Sequence, residues 1–144
     1  MKPGICINKI WFDEDMVELK IDSTDGASLF SNKVYVGHQA IDELISKPNI
    51  FKNQIYGGIF DIEFGAFGPE YASGAFHARL HFQDRGKIYV SIHAQSDFGN
   101  FGIKKVASEA KLYFVSEPAL LDNFIAELSA LKVGERNDAT LEIA

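Results

Sequence analysis

Gly74-Ala-Phe-His-Ala-Arg-Leu-His-Phe-Gln-Asp-Arg-Gly-Lys-Ile-Tyr-Val-Ser-Ile-His-Ala-Gln95 alternates with a period of two on both sides of a turn. Phe76, Ala78, Leu80 and Phe82 form one apolar set, and Ile88, Val90, Ile92 and Ala94 form another. Between them fall His77, Arg79, His81 and Gln83, then Tyr89, Ser91, His93 and Gln95. That pattern predicts two half-buried strands joined as a hairpin. A two-residue turn at Arg85-Gly86 would set Phe82 opposite Tyr89 and throw the apolar sets onto opposite faces. A three-residue loop, Asp84-Arg85-Gly86, instead sets Phe82 opposite Ile88 and Leu80 opposite Val90. It also gives Gly86 the left-handed position that such a loop requires. In this register His77 lies directly across from His93, with Cβ atoms about 5 Å apart.

Upstream, Ile5, Ile7 and Trp11 alternate loosely with Cys6, Asn8 and Ile10, and Asp13-Glu14-Asp15 breaks the run. Val17, Leu19 and Ile21 then alternate with Glu18, Lys20 and Asp22, up to a turn at Ser23-Thr24-Asp25-Gly26. A third strand runs from about Ala27 to Val36. Ile41, Leu44 and Ile45 have helical spacing, which predicts a short amphipathic helix over His38 to Lys47, ended by Pro48. The period of two returns with Tyr56, Phe60, Ile62 and Phe64, and Gly65 to Ser73 reads as a loop.

Downstream, Ser96 to Gly102 reads as a flexible loop. The next strand has Val106, Ala110, Leu112 and Phe114 inward. Ser116 is the expected cap of a helix whose stripe is Leu120, Leu121, Phe124, Ile125, Leu128 and Leu131, closed by Lys132 and Gly134. The expected fold is α+β: an antiparallel sheet of six or seven strands with two amphipathic helices packed on one face. Residues 1–134 form a single domain in this reading, and residues 135–144 a loose C-terminal tail.

The chain has 144 residues, a size that fits one domain, and 47% of them are hydrophobic, enough for a core. Fourteen Lys and Arg stand against twenty Asp and Glu, a formal charge of -6 with a pI near 5.1. Such a balance disfavours phosphate backbones, so no nucleic acid is expected as partner. No apolar run reaches the roughly 18 residues of a membrane span, and Met1-Lys2-Pro3-Gly4 opens no signal-peptide core. Cys6 is the single cysteine. A cytoplasmic protein is expected, with no membrane partner.

Chemistry-bearing patterns are sparse. His77 and His93 with Asp61 or Glu63 would be a legitimate zinc or iron set. Alternation alone also lands polar residues on a solvated face, and no metal or cofactor is expected. His77 and His81 have the spacing of a helical metalloprotease pair, but on a strand they sit about 13 Å apart, with Ala78 where a base would be needed. Neither a nucleophile elbow nor a phosphate-binding glycine loop occurs. Glu70-Tyr71 and Asp97-Phe98 stand out instead. They lie in glycine-rich loops that also hold Phe67 and Phe101, and aromatic anchors ringed by charge suit a protein interface.

In composition and plan the chain resembles the immunity proteins of bacterial polymorphic toxin systems, most of all those of contact-dependent growth inhibition. The likeness covers about residues 16 to 133: hairpin strands, a short helix, a meander with Asp84-Arg85-Gly86-Lys87, and a C-terminal helix. It is a likeness of architecture without a shared motif. It implies a non-enzymatic, stoichiometric inhibitor that binds a cognate toxin C-terminal domain, often a basic nuclease, over its active site or substrate groove. The expected partner-binding residues are Asp61, Glu63, Glu70, Tyr71, Asp97 and Phe98. The alternative is a small enzyme or metal- or ligand-binding domain using the polar sheet face around His77, Arg79, Tyr89 and His93.

Overall fold

The computed structural model describes residues 2–51, 58–68, 74–82 and 86–144. In chain order the elements are β1 (Gly4–Phe12), β2 (Met16–Thr24), β3 (Leu29–Gly37), α1 (His38–Phe51), β4 (Ile59–Phe64), β5 (Ala75–Phe82) and β6 (Ile88–Gln95). Then follow β7 (Gly99–Phe101), β8 (Lys104–Val106), β9 (Glu109–Ser116), α2 (Pro118–Lys132) and β10 (Asp138–Glu142). No helix among the described residues is long and apolar enough to cross a membrane.

The fold is α+β with antiparallel pairing, but the strands do not share one sheet. Two four-stranded sheets form, ordered β10-β1-β2-β3 and β4-β5-β6-β9, with β7 and β8 making a separate two-stranded ribbon. Alternation says which side chains of a strand are buried. Which strands pair across long connections is a separate, non-local matter, and here α1 intervenes between β3 and β4. The apolar faces of both sheets and the stripes of both helices close one core. Ile5, Leu19, Ile21, Phe76, Leu80, Ile88, Phe124 and Leu128 are fully buried in it.

The hairpin that decided the reading has the expected register: Phe82 pairs with Ile88, Leu80 with Val90 and His77 with His93. Gly86 takes φ +79°; Asp84 and Arg85 lie outside the described residues. Four other expectations are corrected. Residues 135–144 are not a loose tail, because β10 pairs with β1 from Gly4 to Asn8 and buries Ala139 and Leu141 completely. α1 continues through Pro48 to Phe51, which is buried and stacks on Phe82 with ring centroids 4.7 Å apart. Tertiary burial of that ring outweighs the hydrogen bond a proline removes. Ser116 ends β9 and does not cap α2; its hydroxyl donates to the Glu142 carbonyl at 2.7 Å, and Glu117 stands at the cap. Val106 belongs to β8 and is exposed, so only Leu112 and Phe114 of its expected set are well buried.

The two sheets meet at two seams. At one, Asn32 Nδ2 of β3 donates to the carbonyls of Ala75 and Gln95 at 3.1 and 3.2 Å. Gly74 lies against this seam, and a Cβ there would come within 2.2 Å of the Lys33 carbonyl oxygen. At the other seam, Ser116 holds Glu142 and the Ala144 amide donates to the Val115 carbonyl at 2.9 Å.

Candidate functional site

The polar face of β4-β5-β6-β9 is a grid fixed by strand register. One row runs Asp61, Arg79, Ser91, Tyr113, and the next runs Glu63, His77, His93, Lys111. Ile59, His81, Tyr89 and Val115 flank the first of these rows, and Gln95 and Glu109 flank the second.

Neighbours on this face are strongly coupled. Arg79 clasps Asp61 with two hydrogen bonds, Nε to Oδ1 at 2.8 Å and an Nη to Oδ2 at 3.1 Å. The same Oδ1 lies 3.0 Å from His77 Nε2. The guanidinium, with His77 adding, holds the Asp61 carboxyl below its ordinary pKa against the opposing effect of partial burial. Across the sheet, His93 Nε2 lies 2.9 Å from Glu109 Oε1, which also accepts from Gln95 Nε2 at 3.1 Å. Those bonds, His93's first, lower the Glu109 pKa. The 65–68 loop folds over the same end: Phe67 stacks flat on His93 with centroids 4.2 Å apart, and the Gly68 amide donates to Gln95 Oε1 at 3.2 Å.

Asp61, Glu63 and His77 have donor atoms within 4.8 Å of one another, so they are the described residues best placed to hold a metal. Both Asp61 oxygens are already engaged by Arg79, however, and an ion would have to compete with a bidentate guanidinium. The arrangement works chemically as a salt-linked, stiff platform.

Acid should reveal the Asp61 linkage. Because its folded pKa lies below the unfolded one, the unfolded chain binds the extra proton as pH falls. The stabilisation is therefore whole above the ordinary carboxylate value of about 4 and is lost as pH falls through the lower folded value. Asp61→Asn is expected to be less stable than the parent at pH 7, by a margin that closes at pH 2 in urea titrations. An undiminished margin at pH 2 would contradict the assignment.

The second feature is the β7–β8 ribbon. It extends the β6–β9 pairing past the sheet: Ser96 still bonds Ser108, and beyond an extra residue near Asp97-Phe98 the pairing resumes as Gly99 with Val106 and Phe101 with Lys104. Gly102, at φ +66°, and Ile103 form its two-residue tip, and a glycine with positive φ at the first tip position is what a tight hairpin turn needs. Every residue from 99 to 106 is exposed. Phe101 is 75% exposed and Ile103 entirely so, with Lys104 and Lys105 beside them.

The expected partner-binding residues fall in three places. Asp61 and Glu63 lie on β4 in the salt-linked grid. Asp97 is exposed and Phe98 half-buried at the base of the ribbon, on the opposite side of the sheet from β4. Glu70 and Tyr71 lie outside the described residues. Sequence reasoning missed the ribbon and its Ile103, and placed Val106 inward on the following strand, although Phe101-Gly102-Ile103-Lys104 carries a Gly-x hairpin signal between apolar and charged neighbours. No protein-family model, curated protein or solved structure matches the chain significantly.

Proposed function

We propose that this chain is an immunity protein of the contact-dependent growth inhibition type, a stoichiometric inhibitor that seats on a basic toxin nuclease domain and covers its active site or substrate groove. The observation that carries the reading is the ribbon. Ile103 is fully exposed, Phe101 75% and Val106 42%, yet they stand on a paired, tight-turned hairpin that continues the β6–β9 pairing. Apolar side chains carried on a paired backbone need little backbone ordering on binding and make effective anchors. The formal charge of -6 supports fast encounter with a basic partner. The His93–Glu109 end of the polar face, on the strands from which the ribbon leaves, supplies a polar rim, with Asp97 and Phe98 at the junction.

The experiment uses the toxin-like domain encoded next to this chain's gene, with its catalytic residue replaced. Calorimetry is expected to give one-to-one binding, and co-expression with the active toxin is expected to restore growth. The absence of such a domain beside the gene, or one that is neither bound nor neutralised, would overturn the reading.

A further inference from the structure

β9 is an edge strand whose outward backbone groups can be assigned. Ser96 N donates to Ser108 O, so residue 108 turns its backbone toward the β6 side. Ala144 N donates to Val115 O, so residue 115 turns its backbone away from β6. In an antiparallel pair these directions alternate, which leaves the N–H and C=O groups of Glu109, Lys111 and Tyr113 pointing outward. At the edge formed by β10, by contrast, Thr140 N is taken by Glu127 Oε1 of α2 at 2.9 Å. From Glu109 to Tyr113 the β9 edge has no such cover among the described residues.

We propose that β9 pairs antiparallel with β9 of a second copy of this chain, about a twofold axis beside Ala110, and that the two sheets become one continuous sheet. Charge and chain geometry select the register. An axis at Lys111 would set that lysine against its own copy. An axis at Leu112 would set Glu109 against Val115, whose carbonyl already accepts from Ala144. An axis at Ala110 sets Glu109 against Lys111 twice and places one small side chain against its copy. Glu109 uses Oε1 for both His93 and Gln95, leaving Oε2 open, and Lys111 Nζ, whose charge favours the Glu109 carboxylate of its own chain, makes no hydrogen bond or salt bridge among the described residues. Pairing would span residues 107–113, between the Ala144 seat and the departure of the ribbon, so the two ribbons leave from opposite ends. The inhibitor reading is not required for any of this, and no toxin enters the test.

Sedimentation of the whole chain from about 1 µM to 500 µM is expected to show reversible dimerisation, reaching twice the 16.0 kDa chain mass. Lys111→Glu and Glu109→Lys should each weaken self-association about tenfold or more. The double variant should restore it, and mixing the two single variants should yield a heterodimer, because each then offers what the other lacks. Should Glu109→Lys fail to fold, Lys111→Glu is compared with Lys111→Pro, which removes an outward N–H and no bond to β6; both should be folded by circular dichroism and monomeric. A parent chain that stays monomeric throughout, single variants that dimerise as the parent does, or a double variant that does not recover would each overturn the proposal.

Discussion

Deleting residues 138–144 is expected to abolish cooperative folding. β10 supplies the edge of its sheet, pairing Ile5 with Leu141 and Ile7 with Ala139, and all four side chains are essentially buried. Without it one edge of β1 opens to water from Gly4 to Asn8, and the stripe of α2 loses the cover that β10 gives it. Both C-terminal fastenings go as well: the Glu142 carbonyl held by Ser116, and the Ala144 amide on Val115. Truncating Leu141 alone to Ala should cost about 2–5 kcal/mol, a large part of the roughly 5–15 kcal/mol that holds a domain together. The deletion removes that side chain, the strand ladder and the second seam between the sheets. Urea titrations followed by circular dichroism are expected to show a lowered midpoint for Leu141→Ala and no sigmoidal transition for the deletion. A deleted chain that unfolds cooperatively within about 1 kcal/mol of the parent would show that β10 is an ornament.

That strand also shows where the sequence stops being legible. Ala139, Leu141 and Ile143 alternate with polar residues, but five strand residues with two charged ends carry a weak local signal. What fixes them as a strand is the open side of β1, more than 120 residues away in sequence. The β5–β6 register was legible because turn chemistry and alternation agree in only one alignment. No comparable constraint links β4 to β5, which ten residues separate in the chain, so the Asp61–Arg79 clasp could not be read, although the facing histidines could. α1 shows the same competition at close range: Pro48 argues locally for a stop, and burial of Phe51 against Phe60 and Phe82 prevails. The ribbon is the opposite case. Its Gly102-Ile103 signal was local and readable, but glycines and a lone aromatic ring resemble an ordinary surface loop until the pairing of Phe101 with Lys104 is seen.

Replacing Phe101 and Ile103 together by Asp is expected to weaken toxin binding at least 100-fold, about 2.8 kcal/mol, while leaving stability nearly unchanged. The two halves of that expectation come from the same fact. Side chains this exposed contribute little to the fold, so substitution should shift stability by no more than about 0.5 kcal/mol. Buried in a partner's cleft, each would return about 1.5–3 kcal/mol of apolar transfer, and an aspartate in its place would carry an unpaired charge into the same site. Lys104 and Lys105, which flank the tip, should act differently. Their replacement by Glu is expected to change the association rate and its salt dependence more than the dissociation rate, because rim charges steer encounter. Calorimetry on the double Asp variant and stopped-flow kinetics on the lysine variant separate the two roles. If Phe101→Asp/Ile103→Asp binds the toxin as the parent does, the ribbon is not the anchor. The inhibitor reading would then rest on acidic charge alone, which many proteins of other functions share.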